Sequence, residues 1–560
     1  MVEDNYQPAQ PEDAEKPEGA DQPESAEEPK SADRQESADQ QAAPAAAPAD
    51  TTPVNPKDDG FWGNTITVIN NIADKVLNLT LKDVKIDVSD TGDQYDWDQK
   101  GKAALSVQGK GNVEIELDGD NELKSGTQSA GLEKTSTGTL TLKDDNNEAG
   151  SLTATGGFNS AGIGGGYLGD GKNITITGGT VTATGGYGGG AAGIGGAFAN
   201  GENITITGGT VNAAGSYFDH GMGAGIGGGA EGGGGNNITI KGGTVTATGG
   251  GYRGNSGAGI GGGSSGSGEN ITINDGKVTA TGGSYAAGIG GGSVGAWGGD
   301  AGSGKNITIN GGTVNATGTD GGAGIGGGEN GNGEDITITG GKVNASGAYG
   351  GAGIGGGVNG IGSKVTVSGA AQVTATATGS GPDWSGVGTG ATIGNGGSKT
   401  PDGPVDGKEI QADISHLTTG YIHHIIYNPD LDLDGKPDGI LKEWWEFALP
   451  KPIPDGESLD LHVETLKGAP LLFNTRQQGS TLRVTTDNLS ARLHGTRQAL
   501  ETLQEQGVEQ IQFVTTLKTT TLSVEDLLTE GGSWFALEHD GLASRRLSAA
   551  QAESLKCWRH

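Results

Sequence analysis

Cysteine, cationic side chains and aromatic rings are all scarce in this chain of 560 residues. The one cysteine, Cys557, excludes an intramolecular disulfide and a thiolate metal cluster. Lys and Arg number 35 against 68 Asp and Glu, and the net charge of −33 argues against nucleic acid, which is held by clustered cations. Trp, Tyr and Phe number 8, 10 and 8, too few for a conventional enzyme core over most of the length. No apolar run reaches the roughly 18 residues that a transmembrane helix needs. The acidic opening MVEDNYQPAQPEDAEKPEGADQPES lacks the apolar stretch of a secretory signal. Collagen is excluded because glycine does not fall at every third place and proline numbers only 18.

What the chain has instead is glycine, 113 in all. Residues 1–60 hold almost none of it; they carry 16 acidic and 4 basic residues and 9 Pro. Such a segment buries too little apolar surface to offset chain entropy, so it is expected to be a disordered acidic tail. From Gly131 to Gly394 one sentence repeats: NITI, GG, TVTAT, a Gly-rich loop, AGIGGG and another Gly-rich loop. Its Leu or Ile falls at Leu132, Ile163, Ile194, Ile226, Ile260, Ile289, Ile325 and Ile354, with a degenerate copy expected at Val387. The blocks alternate with period two, are β-branched and are fenced by glycine, so they read as short strands. Stacked coil on coil at about 4.8 Å, they would form internal columns. One column runs Ile174, Ile204, Ile238, Ile271, Ile307, Ile336, Val365; another runs from Leu152 and Val181 to Val373, with an alanine column beside it from Ala154 to Ala375. This predicts an all-β fold, a parallel β-helix of about ten coils. The recurrent Asn173, Asn203, Asn237, Asn270 and Asn306, followed by Asp335, predict a ladder of side-chain hydrogen bonds. Residues 65–125 alternate in the same way without the Gly-rich loops; they are expected to add the first two or so coils and to cap the open end.

The strands are committed to stacking, which leaves function to the loops. Phe158, Tyr187, Tyr217, Tyr252, Tyr285 and Tyr349 each follow the corresponding Val or Leu by six or seven residues, and Asp320 takes that place in one coil. Aligned by the stack, such rings suit a strip that binds extended sugar chains; the plainer reading is an aromatic ladder covering a Gly-rich edge. Catalytic chemistry is thin. The 13 acidic and 7 basic residues between Asn146 and Gly397 are scattered singly, with neither paired carboxylates nor an acid cluster beside a cationic base. The chain is therefore expected not to be an enzyme.

The motifs LDGDNELKSG (117–126), SAGLEK (129–134), GSLTATGG (150–157) and the AGIGGG/NITITGGTVTATGG alternation resemble the glycine-rich parallel β-helix repeats of cell-surface proteins from anaerobic Gram-positive bacteria, some described as carbohydrate-binding domains. The resemblance covers about 340 residues and implies a secreted or surface location with non-catalytic binding of a polysaccharide or glycan, or adhesion. The expected division is a tail over 1–60, the β-helix over 61–397, a linker over 398–407 and a small α+β domain over 408–560.

In that last part glycine thins out and seven of the 8 His appear. Leu489, Leu493, Leu500 and Leu503 predict a helix over 488–506 ended by Gly507, followed by a strand over 508–514 and a short helix begun by Ser523. The pair His423–His424 has no metal-ligand spacing and reads as a satisfied structural pair. The run Asp430, Asp432, Asp434, Asp438, with Gly435 for the turn and the Lys436 carbonyl at the seventh place, resembles the calcium loops of thrombospondin type-3 and dockerin-like repeats. The resemblance implies a structural calcium ion; the plainer reading is an acidic turn in an acidic protein. Leu441 stands where the closing acid would be, leaving Glu443, Glu446 or another segment to serve.

Overall fold

The computed structural model describes residues 60–555 except 147, 217–221, 252–253, 295–300, 380–385, 430–437, 448–460 and 472. The expected acidic tail therefore lies outside the described residues, apart from Gly60.

Each repeat makes one coil of three short parallel strands, seen in Ile163–Gly164, Gly171–Ile176 and Thr180–Thr184. The Ile-Gly strands build an 11-stranded parallel sheet from Ile66–Asn70 to Ile393–Gly394. The other two stacks are joined by the 13-residue strand Asn112–Lys124, which turns from one into the other. The register is the one the period implies: Ile174 pairs with Ile204, Val181 with Val211, Ala183 with Ala213, and so on up the stack. These columns are fully buried. Threonines between them face outward, so period-two alternation becomes an apolar lumen inside a polar sleeve.

The terminal copy of the repeat is not at Val387. Ile393 pairs with Ile354 and Gly394 with Gly355, so ATIGNGG is the true copy. What the stack requires is the Ile-Gly step itself. Gly227 shows why: its φ is +135°, and a Cβ there would stand 2.0 Å from the Gly261 carbonyl oxygen of the next coil. In sequence Val387-Gly388 follows Ser385, whereas Ile393-Gly394 follows the buried Ala391.

The asparagine ladder is present and has a second cause. Asn203 Nδ2 donates to Asn173 Oδ1 at 3.0 Å, Asn237 to Asn203 at 3.2 Å and Asn306 to Asn270 at 3.2 Å. These asparagines also have φ between +52° and +57°, a left-handed conformation that Asn tolerates better than most residues. The residue is chosen by the backbone and then bonded along the stack.

Residues 65–125 supply the first two rungs as expected, Ile66–Asn70 and Leu105–Gly109. They do not close the end. Among the described residues Trp62, bridged to Ile86, covers part of it. At the other end the stack continues past Gly394. Tyr421–Tyr427 pairs in parallel with Gln372–Thr378, then Ile440–Phe447 returns antiparallel beside it. Ala412, Ile414, Leu417 and Ile422 are buried there with the lumen residues.

Beyond lie two four-stranded sheets. Leu461–Glu464, Ser490–Thr496, Trp534–Asp540 and Ala543–Arg546 form one; Asn474–Gln478, Thr481–Thr485, Gln510–Val514 and Thr519–Ser523 form the other. They enclose a core with Leu493, Leu500, Leu503, Ile511 and Phe513. The helix expected over 488–506 is half strand. Ser490–Thr496 pairs with Trp534–Asp540, and the helix runs only over Arg497–Glu505, with the Thr496 side chain capping Ala499 N. Four leucines fit a helical face, but Leu493 is buried from a strand while Leu489 is exposed. The short helix Val524–Thr529 starts at its Ser523 cap as expected.

Candidate functional site

Two Gly-rich loops per coil hold the aromatic residues. Phe158 and Tyr187 occupy successive coils, their ring centroids 5.4 Å apart at an interplanar angle of 70°. The Phe158 ring edge lies against Gly188, where a Cβ would stand 2.4 Å from its Cε2. Higher in the same series Tyr285, Asp320 and Tyr349 take left-handed backbone, with φ of 67°, 47° and 46°. Burial pushes the Tyr285 phenol up, and the Asp320 and Glu329 carboxylates add to the effect. Tyr217 and Tyr252 lie outside the described residues.

A second row, missed in the sequence, runs beside the first. Tyr167 and Phe198 each follow the Ile-Gly step by four residues from Ile163 and Ile194, and their rings are 5.5 Å apart. Trp97, from the Gly-poor segment, joins the rows, 6.1 Å from Phe158 and 5.1 Å from Tyr167. Gln128 fixes the junction. Its N donates to the Phe158 carbonyl at 2.9 Å, its carbonyl accepts from Tyr167 N at 3.1 Å, and its Nε2 donates to the Trp97 carbonyl at 3.2 Å. Gln128 is buried and has φ +66°. Nearby, Glu133 accepts from Ala130 N and from Lys100 Nζ at 3.2 and 3.4 Å. Trp97 and Tyr187 remain 54% and 53% exposed. Five rings thus meet on one patch with two open faces.

The repeat spacing held the signal for Tyr167 and Phe198, but later coils place Ala230, Ser264 and Ser293 at that offset, which hid it. Trp97 carried no repeat signal at all. Its loop is set by local turns: Asp93 and Asp96 side chains accept from Tyr95 N and Asp98 N.

A second concentration of polar groups lies at the far end of the lumen. Glu409 accepts from Thr392 N, Ile393 N and the Thr392 hydroxyl at 2.6 to 3.1 Å. With Glu409 ionised the hydroxyl proton is committed to it, and His424 Nδ1, 2.6 Å from that oxygen, is then the donor. His424 Nε2 is then a bare acceptor. It is buried without a hydrogen-bond partner among the described residues, 3.5 Å from Glu446 Oε1. Burial, with help from His423 and Lys442, pushes His424 down to about 4; burial pushes Glu409 and Glu446 up. Trp444 stacks on His424 at 4.4 Å and Trp445 on His423 at 3.7 Å, while His423 Nε2 meets Glu443 Oε1 at 2.6 Å.

Asp430, Asp432, Asp434 and Lys436 lie outside the described residues. Asp438 is described and exposed, and its carbonyl accepts from Asn428 Nδ2 at 3.4 Å. Among the described residues no helix is long and apolar enough to cross a membrane.

Seven stretches, residues 148–167, 174–198, 204–230, 238–264, 271–293, 307–329 and 336–358, match the family described as Beta helix repeat. No curated protein and no solved structure matches the chain. Each matched stretch runs through an Ile-Gly step or its approach, and consecutive steps pair in register as one parallel sheet. The matched repeats stack into a parallel β-helix.

Proposed function

We propose that this is a non-catalytic, secreted or cell-surface β-helix protein that binds a polysaccharide or glycan through its ring-bearing loops. The observation that carries the reading is the five-ring patch of Trp97, Phe158, Tyr167, Tyr187 and Phe198. Exposed ring faces pack against the C–H faces of sugars, and a rigid stack pre-organises them, which limits the entropy lost on binding. Tyr285 and Tyr349 extend the same loop series upward.

Affinity electrophoresis against soluble polysaccharides tests it. Retardation by at least one neutral or acidic glycan is expected, weakened tenfold or more in Trp97→Ala and Tyr187→Ala with the fold intact by circular dichroism. Retardation that survives both substitutions, or none across a broad panel, rejects the reading. Depolymerisation of a bound glycan would show an enzyme instead.

A second reading, a structural spacer or adhesive scaffold, is favoured by one observation. The rings meet edge to face instead of lying in a flat row, so they also stabilise neighbouring coils. In that case the two alanine substitutions lower the melting temperature and alter no ligand affinity. A structural calcium ion on Asp430, Asp432, Asp434, Asp438 and the Lys436 carbonyl belongs to either reading. Calcium should raise the melting temperature of the parent chain and not of Asp432→Ala/Asp434→Ala.

A further inference from the structure

In the first rung of the β-helix Trp62 bridges Ile86 on the outer side, but Val76–Lys82 is bonded on one side only among the described residues. Val76–Lys82 pairs with Asn112–Lys124, and among the described residues no strand pairs with its outer edge. The bonds that flank the strand show which groups face which way. Lys75 accepts from Asn112 N and Asp83 N donates to the Asp118 carbonyl, so odd-numbered residues bond into the stack. Alternation then turns the N–H and C=O groups of Val76, Asn78, Thr80 and Lys82 toward the open edge. Side chains alternate as well. Leu77, Leu79 and Leu81 stand over Val113, Ile115 and Leu117 of the lumen, and Leu77 at the rim is still 37% exposed. Val76, Ile69 and Ile72 are exposed beside it. An open edge with aliphatic residues around it is what soluble proteins normally cover.

We propose that this end is a self-association surface, on which Val76–Lys82 pairs antiparallel with the same strand of a second copy about a two-fold axis through Leu79. A two-fold contact places a patch against itself, and a strand edge can meet itself only in the antiparallel sense. Lumen-facing residues must oppose lumen-facing residues, which restricts the axis to a residue position and forbids one between residues. Of the allowed positions only Leu79 engages the whole of Val76–Lys82. Leu77 then opposes Leu81, Leu79 opposes itself, and the two lumens join. The edge-facing residues Asn78 and Thr80 fall opposite each other as a doubly hydrogen-bonded pair, the arrangement an antiparallel ladder requires. At the corners Lys75 meets Asp83, an attraction in a chain whose net charge of −33 otherwise repels a second copy. Moving the axis to Thr80 would set Lys75 against Lys85. The chain's own first sixty residues are a poor alternative occupant, because they contain no Leu, Ile, Phe or Trp to cover the aliphatic rim.

Light scattering on the full chain tests the proposal. A dimer that dissociates on dilution is expected. Thr80→Pro removes an edge-facing N–H and no bond within the stack, so it should give a monomer with an unchanged circular dichroism spectrum. In a Cys557→Ser background, Leu79→Cys should form a disulfide-linked dimer on mild oxidation, because residues opposed in a non-hydrogen-bonded pair lie about 4.5 Å apart; Val76→Cys, which faces Lys82, should not. A parent chain that stays monomeric at 100 μM overturns the proposal, whether residues 1–59 or solvent cover the edge. So does a dimer that persists in Thr80→Pro and is not trapped by Leu79→Cys.

Discussion

The two ends of the β-helix meet the same problem with opposite chemistry. At the C-terminal end the last TVTAT rung, Gln372–Thr378, is followed by a paired strand, a returning strand and a stacked Trp444–His424 pair over the lumen. Glu409 takes up the backbone N–H groups of Thr392 and Ile393 beside the last Ile-Gly step. At the N-terminal end Trp62 bridges one strand, and among the described residues Val76–Lys82 keeps an unpaired edge. A polar cap with buried titratable groups makes one end responsive to pH. An aliphatic rim makes the other a place for association. Stability in such a stack is close to a sum over neighbouring coils, so each end can be perturbed with limited effect on the other.

Both ends depend on the stack between them, and the largest effect belongs there. Gly227→Ala puts a methyl 2.0 Å from the Gly261 carbonyl at φ +135°. Backbone on both sides leaves no flexible group to yield, so the cost should exceed about 4 kcal/mol. Gly479→Ala is the control: its φ is +58° with open space around it, and left-handed strain alone costs roughly 1–2 kcal/mol. Urea titration followed by circular dichroism compares them. Equal losses would mean that conformation, not coil-to-coil contact, selects the glycine.

The next effect sets the capped end apart. His424 is held neutral in the folded chain and titrates near 6.5 when unfolded. The unfolded state therefore binds more protons between pH 6.5 and 4, and stability present above pH 6.5 is lost as pH falls toward 4. The full shift corresponds to roughly 3 kcal/mol. Glu409 and Glu446 act in the opposite sense. Their raised folded values make acidification favour the folded state, which offsets part of the loss toward the lower end of that window. Melting temperatures from pH 7 to 4 should fall less steeply in His424→Gln than in the parent. Parallel curves would remove His424 as the cause.

These ends also mark where sequence stops being sufficient. The columns, the ladder and the Ile-Gly pairing were legible because one requirement repeats in every coil. Repeat spacing favours Val387, whereas the Ala-x-Ile-Gly chemistry of the rung selects Ile393. The second aromatic row was hidden because only Tyr167 and Phe198 carry rings at that offset. Trp97 reaches them from a loop with no repeat, and His424 meets Thr392 and Glu446 from three separate segments. Contacts of that kind come from tertiary placement and leave no local pattern. The helix over 488–506 failed for the same reason, since pairing with Trp534–Asp540 outweighs the leucine spacing.

Between the ends runs the asparagine ladder, and its middle member tests whether conformation or bonding keeps it. Asn237 has φ +55° and donates to Asn203 Oδ1. Asn237→Ala loses the bond and strains the backbone, for about 1–2 kcal/mol. Asn237→Gly loses the bond and relieves the strain, so it should cost less than alanine despite removing more atoms. Denaturation midpoints in which glycine is the worse of the two would assign the ladder to hydrogen bonding.

The smallest effect lies where the ladder reaches the capped end and changes chemistry. Asn173, at the bottom, donates to the Thr137 carbonyl at 3.1 Å, whereas at the top Asp335 is ion-paired with Lys364 at 3.2 Å. The Lys364 side chain is 74% exposed, and an exposed pair of this kind contributes under about 1 kcal/mol. Yet Lys364 also sits at φ +51°, a conformation that lysine adopts less readily than asparagine. Lys364→Asn gives up the weak ion pair, restores a residue suited to that backbone and returns an amide donor toward Asp335. The expected outcome is a gain of a few tenths of a kcal/mol, up to about 1, read as a higher denaturation midpoint whose advantage grows with salt, because salt screens only the parent's ion pair. A lower midpoint at high salt would show that the last rung depends on more than its backbone angle and its ladder bond.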